Sequence, residues 1–202
     1  MPEITPLVVS TNLLRFLNEK SLSNQIEKVV KKRGENQGFT DNSFELMMKA
    51  VGWRSGQAWC AYYVKLVFMQ MYSFDRDYLA KNFTGGAVNN LTITQNNNKR
   101  GDKRYVAITS GSPQIGDIFV LSGHTGIVLN VISGNKVQTI EGNTNFKGSR
   151  EGDKTESITR DLTIGKKSYG QSVLGFIRRV FTQEELSKLA YDEKQQTFIF
   201  TK

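Results

Sequence analysis

The chain reads as one α+β domain in which helices pack on a small antiparallel β-sheet. Three observations carry that reading. Residues 60–71 place apolar side chains at Cys60, Val64, Val67, Phe68 and Met71, the period of a helix with one buried face. Residues 116–143 are two β-rich runs joined by Ser133-Gly134-Asn135-Lys136, a hairpin signal. At 202 residues, 38% of them hydrophobic, the chain is long enough to bury one core and too short for a second full domain.

In chain order, Leu13, Leu14, Leu17 and Ile26 predict an amphipathic helix from Ser10 to about Val30, with the basic residues Lys28 to Arg33 at its end. Residues 34–42 form a polar connector, and Ser43 is expected to cap a short helix carrying Phe44, Leu46, Met47, Ala50 and Val51. Residues 74–104 hold Gly85-Gly86, Asn89-Asn90 and Gln95-Asn96-Asn97-Asn98, which predict irregular chain, a solvated surface loop as the first reading and a border of the substrate groove as the second. After the 116–143 hairpin, residues 147–153 are a turn-rich loop, and short strands ending at 173–181 complete the sheet. Thr182 starts a terminal helix reaching Lys194, with Leu186, Leu189 and Ala190 on one side, and Phe198-Ile199-Phe200 adds a strand or docks the tail.

The sequence holds one cysteine and one histidine, and each stands in a setting suited to chemistry. Cys60 opens its helix, where unpaired N–H groups and the positive end of the helix dipole favour a thiolate. A small buried hydrophobe is the bland reading of the same residue. His124 follows Ser122-Gly123 within the β-rich run, with Gly123 and Gly126 leaving space around its ring. With a two-residue turn at Gly134-Asn135, Val128 faces Glu141 and Gly126 faces Asn143, so His124, Glu141 and Asn143 project to one side of the sheet. An unbulged ladder sets Asn143 nearest His124, whereas a bulge brings up Glu141 instead. Either side chain can orient the imidazole.

The blocks Gly56-Gln57-Ala58-Trp59-Cys60-Ala61, Gly116-Asp117-Ile118 with His124-Thr125-Gly126-Ile127-Val128, and Thr139-Ile140-Glu141-Gly142-Asn143 resemble the CHAP family of cysteine, histidine-dependent amidohydrolases and peptidases, relatives of the papain-like NlpC/P60 enzymes. Arg150-Glu151-Gly152-Asp153 and Gly175-Phe176-Ile177-Arg178 resemble the family's closing segments. Ala58 stands where many members have proline, and Tyr63 where many have phenylalanine. The resemblance implies a papain-like domain over 35–181, with 1–34 a helical segment packed on it and 182–202 an extension of the same domain. It implies Cys60 as nucleophile, His124 as base, Glu141 as the orienting third member and Asn143 in support. Gln57 is a candidate oxyanion donor with the Cys60 N–H. Trp59 is expected to pack beside the nucleophile, with substrate contact as its second reading. The implied substrate is a peptidoglycan amide, in a stem or cross-bridge peptide or at the link to N-acetylmuramic acid. An endopeptidase is the expected form, with the amidase or an inactive wall-binding module as alternatives.

Twenty-seven Lys and Arg against nineteen Asp and Glu give a net charge of +8, which draws the protein toward polyanions without ranking them. The basic clusters at 28–33 and 99–104 are short and come with no nucleic-acid-binding motif, so a solvated face explains them. One cysteine excludes an internal disulfide, and with one histidine it is too few for the usual zinc ligand set, so no cofactor or metal is expected. The N-terminus carries no recognisable signal peptide, and no stretch reaches the roughly 18 apolar residues of a membrane span. The expected picture is a monomer made in the cytoplasm that reaches the wall after release or delivery, as a phage endolysin or an antibacterial effector would.

Overall fold

The structure is a computed structural model that describes residues 29–32, 35–144, 152–192, 194 and 197–201. Its elements are mixed α and β with every strand pairing antiparallel, the α+β architecture expected. Strands β3 (Tyr105–Ile108), β9 (Gln171–Arg179), β4 (Ile118–Leu121), β5 (Thr125–Ser133), β6 (Lys136–Thr144) and β7 (Lys154–Asp161) form the main sheet in that order, and β8 (Lys167–Ser168) pairs with β9.

Helix α1 (Asn42–Ala50) and helix α2 (Cys60–Met71) lead into a 3-10 turn, Ser73–Asp75. The α2 helix is buried on most of its circumference, and its apolar residues share one core with Ile118, Val120, Ile127, Ile140 and Ile177 of the sheet. A second cluster, Phe119, Leu121, Val128, Val137, Leu162, Val173 and Phe176, includes the alternate positions of the same strands. Burial of a large apolar side chain contributes about 1.5–3 kcal/mol, so a one-residue slip, which exchanges these two sets, is strongly disfavoured. Asp117 at the start of β4 accepts two hydrogen bonds of 2.8 Å from Arg178 of β9, tying together two segments that the sequence set apart as family blocks.

Several local expectations are corrected. The 10–30 helix lies outside the described residues except for Val29 and Val30, which belong to a strand, β1 (Val29–Lys32), paired with β2 (Glu35–Phe39). The polar run 34–42 was read as a connector, but β pairing claims its middle. Asp41, not Ser43, caps α1, with its Oδ1 accepting from the Phe44 N–H at 3.0 Å. The loop at 147–153 lies outside the described residues except for Gly152 and Asp153.

The largest correction concerns residues 74–104, expected to be irregular. They form helix α3 (Arg76–Asn82) and the 13-residue helix α4 (Ala87–Lys99). Asparagine disfavours helix because its amide competes for backbone partners. Here those amides find tertiary partners instead: Asn97 donates to Asn82 and Tyr78, Asn98 donates to the carbonyls of Asp102 and Tyr105, and Asn90 caps the Thr84 N–H.

The terminal helix α5 (Gln183–Lys188) starts as expected at Thr182, whose capping box with Glu185 is complete. It ends six residues short of Lys194, because Leu189 turns extended and opens β10 (Leu189–Asp192), paired with β11 (Thr197–Phe200). Thr197 Oγ1 donates to the Gln70 and Met71 carbonyls, so this hairpin docks on the end of α2.

Candidate active site

Cys60 is the first residue of α2, where its N–H lacks a partner within the helix. Trp59 is the cap residue just before it, fully buried against Phe39, Phe44 and Tyr63. A Cβ on Gly142 would fall 2.7 Å from the Trp59 ring, so strand β6 runs directly over the turn that presents the thiol. Trp59 therefore packs and has no surface for substrate, which removes its second reading.

Gln57 is also not where the oxyanion role needs it. Its side-chain Oε1 accepts from the Arg54 N–H at 2.9 Å, and it is not among the residues lining the cleft at Cys60. Its carbonyl is held by Trp53 Nε1 at 3.0 Å and Asn36 Nδ2 at 3.1 Å, so what it contributes is the shape of the turn.

His124 lies between β4 and β5, its carbonyl accepting from the Leu121 N–H at 2.8 Å across a tight turn. Its Nε2 and Glu141 Oε2 are 2.9 Å apart, and both side chains are fully buried. The register explains why the partner is Glu141. Ser133 faces Lys136 as expected, but irregularities on β5 then pair Val128 with Thr139 and Ile127 with Ile140. The expected Val128–Glu141 and Gly126–Asn143 pairings are thereby displaced by two residues, which keeps the sheet face and brings Glu141 up to Gly126. A Cβ on Gly126 would fall 2.8 Å from Glu141 Cγ and 2.8 Å from the Phe119 ring. That glycine makes room for the carboxylate stem rather than for the imidazole.

Asn143 takes a different place. It has a left-handed backbone, φ 57°, and its Oδ1 lies 3.5 Å from Asn36 Nδ2. With Ala58, Cys60, Gly85, Asn89, Ser122 and others it lines a cleft of about 220 Å³. The segment at the start of α4 thus forms one bank of the cleft that holds the cysteine, the second of the two readings of this region rather than the surface loop that was the first.

The electrostatics follow from burial opposed by neighbours. Burial alone drives His124 toward its neutral form, but interaction with Cys60 and then Glu141 outweighs it and raises the pKa to about 9. Burial likewise drives the Glu141 pKa up, and hydrogen bonds from Arg160 and His124 outweigh it and hold it at about 2. Since Nε2 is engaged by Glu141, Nδ1 is the nitrogen left to the thiol.

Arg160 and Asn36 had no place in the sequence reading. Asn36 ties the Gln57 carbonyl to Asn143 across the floor of the turn. Arg160 of β7 holds both oxygens of Glu141, Nε to Oε1 at 2.5 Å and Nη2 to Oε2 at 2.7 Å. The only trace of either in the sequence is a polar residue amid alternating strand positions, a weak signal. Among the described residues no group of His, Cys, Asp and Glu is arranged to hold a metal.

The fold and this buried thiol, imidazole and carboxylate define an α+β domain with the parts of a proton-transfer site beside a cleft. The model of the CHAP domain matches residues 52–143, so that segment is similar to the CHAP family. A CHAP domain implies hydrolysis of peptidoglycan amides, as an amidase or a peptidase. No curated protein and no solved structure matches the chain.

Proposed function

We propose that this protein is a papain-like cysteine hydrolase of peptidoglycan, acting as an endopeptidase on a stem or cross-bridge peptide. The observation that carries the proposal is the ordered set at one cleft: Cys60 at a helix start, His124 beside it, and Glu141 on the far side of the ring.

In the proposed reaction Cys60 passes its proton to His124 Nδ1, and the sulfur attacks the amide carbonyl carbon. The oxyanion is held by N–H groups at the α2 start, with Asn143 as a polar neighbour in the cleft. As the C–N bond breaks, the imidazolium gives its proton to the departing amine, leaving a thioester. Water, deprotonated by His124, then adds to the thioester and releases the acid and the free thiol. Glu141 keeps the ring oriented throughout and balances its charge while it is an imidazolium.

The remaining proposals follow from this reading. The catalytic unit spans residues 35–181, with 182–202 its extension, and works as a monomer at the bacterial wall. An endolysin released from the cytoplasm, or an antibacterial effector delivered by a secretion route, fits such a target and the basic surface.

The test is mass spectrometry of fragments released from purified walls of several chemotypes by wild type and by Cys60→Ala. New peptide termini that depend on Cys60 support the endopeptidase. Release of intact stem peptides from the glycan supports the muramyl amidase, and no release from any wall rejects hydrolysis of peptidoglycan.

A further inference from the structure

We infer that Arg160 is a positioning residue of this site: its guanidinium holds the Glu141 carboxylate ionised and aimed at His124, and so governs the protonation of the imidazole that meets the thiol. The inference rests on the proposed Cys60–His124–Glu141 reading and extends it by one residue.

The geometry is a closed set of contacts. Glu141 Oε1 accepts from Arg160 Nε at 2.5 Å and from Thr139 Oγ1 at 2.5 Å, while Oε2 faces Arg160 Nη2 at 2.7 Å and His124 Nε2 at 2.9 Å. A carboxylate has about four lone-pair directions, and four donors occupy them here. It cannot rotate, so the oxygen offered to His124 stays fixed. The two-point fork is a geometry that arginine provides and lysine does not.

Arg160 is itself held. Its guanidinium carbon lies 5.6 Å from the Phe119 ring centre and 5.0 Å from that of Tyr169. Tyr169 has a left-handed backbone, φ 47°, uncommon for an aromatic residue, and its hydroxyl donates to the Thr159 carbonyl at 3.1 Å. The strained turn between β8 and β9 thus lays a ring over the guanidinium from outside.

A fully buried carboxylate without a cation takes up a proton, because burial penalises its charged form. A protonated Glu141 gives the imidazolium no counter-charge. Arg160, always charged, prevents this. The charged and titratable groups that bear on Glu141 are Arg160 from β7 and His124 ahead of β5, with Cys60 acting on His124 from α2. Glu156, opposite Glu141 in the ladder, shares its sheet face.

His124 is the single histidine of the chain, so its imidazole nitrogen resonances can be followed unambiguously by NMR between pH 4 and 10. Wild type is expected to show one inflection, near pH 9. In Arg160→Met a second, acidic inflection is expected as Glu141 titrates, and the acid limb of the Cys60 alkylation rate moves up by about one pH unit or more. Arg160→Lys, which keeps the charge, removes the acidic inflection. In a Glu141→Gln background, Arg160→Met adds less than about a twofold change in alkylation rate, because its effect passes through Glu141. This neutral double variant also carries the comparison if Arg160→Met alone does not fold.

A folded Arg160→Met with an unshifted profile, or a loss that is additive with Glu141→Gln, reduces Arg160 to a packing role and overturns the inference. If wild-type Cys60 alkylates no faster than an ordinary thiol, the proposed nucleophile reading fails instead. The NMR titration still decides the part played by Arg160.

Discussion

Among the described residues two buried arginines each hold a carboxylate, and only one of the two pairs has an imidazole and a thiol beyond it. Arg160 grips Glu141, and beyond that pair stand His124 and Cys60. Arg179 of β9 grips Asp75 at 2.6 Å and Glu185 at 2.9 Å, and Asp75 also accepts from the Tyr105 hydroxyl at 3.1 Å and lies 3.6 Å from Arg104. Tyr105 is fully buried, and burial pushes its pKa well above the ordinary range, so it is a fixed donor that exchanges no proton near neutrality. The Arg179 cluster joins the 3-10 turn after α2, strands β3 and β9 and the α5 cap, and through Arg104 it reaches a second cleft whose lining holds no imidazole and no thiol. A buried ion pair is thus silent about function until the next residue is known. An imidazole paired with a thiol at the cleft makes the difference.

The comparison is broken most sharply by removing one member from each side. Cys60→Ala is expected to abolish fragment release, a loss of at least about a thousandfold, while the melting temperature stays within a few degrees of wild type. Arg179→Met should do the reverse. It leaves the buried Asp75 with only the Tyr105 hydroxyl and the longer Arg104 contact and costs about 3–5 kcal/mol in urea unfolding, while the alkylation rate of the folded protein stays within twofold. Equal loss of thiol reactivity in the two variants would show that the Arg179 cluster is not confined to stability.

A smaller effect is expected at Gly126. A methyl group there meets the Ile140 carbonyl at 2.7 Å as well as Glu141 and Phe119, and all three neighbours lie in packed strands. Gly126→Ala should cost about 1–3 kcal/mol by overpacking and should also slow Cys60 alkylation, since the cheapest relief is to move Glu141 away from His124. A stable variant with wild-type reactivity would mean that the carboxylate has more room than the register gives it.

The same groups set a pH signature. Glu141 titrates near 2 in the fold against an ordinary 4.5, so its stabilisation is complete above about 4.5 and fades as pH falls toward 2. His124 is raised from 6.5 to about 9, so its contribution is complete below 6.5 and is lost as pH rises through about 9. Melting temperature against pH should fall on both sides of this window. Glu141→Gln should flatten the acid slope, and the alkaline slope should flatten with it because the imidazolium has lost its partner. If the slopes are unchanged, other groups govern acid and alkaline unfolding.

What the sequence disclosed and what it hid divide along contact range. Cys60 at a helix start and the hairpin turn at 134–135 are local patterns, and they were legible because period and turn chemistry act over a few residues. Strand pattern alone left the His124 partner open between Glu141 and Asn143, because bulges on β5 decide it and no residue there announces an extra position; only the family resemblance pointed to Glu141. The Asn-rich run 95–98 misled for a related reason. Its local preference against helix was real, but Asn82, Tyr78 and Tyr105 answered it from elsewhere in the chain. Arg160 was invisible because a strand arginine reads as solvent-facing until its carboxylate is found 19 residues away.

Gln57 gives the smallest expected effect and sharpens the comparison from the silent side. It stands three residues before Cys60, where a side-chain amide beside the nucleophile suggests an oxyanion donor. In the fold its side-chain amide is anchored through Oε1 to the Arg54 N–H and is not among the groups lining the cleft, and its backbone carbonyl, which a substitution leaves in place, is what Trp53 and Asn36 hold. Gln57→Ala should therefore change fragment release by less than about twofold and stability by no more than about 0.5 kcal/mol, the range of exposed positions away from special features. Removal of a true oxyanion donor costs about a hundredfold or more in turnover, so the two outcomes are well separated. A hundredfold loss in Gln57→Ala would mean that the side chain swings from Arg54 into the cleft when substrate binds.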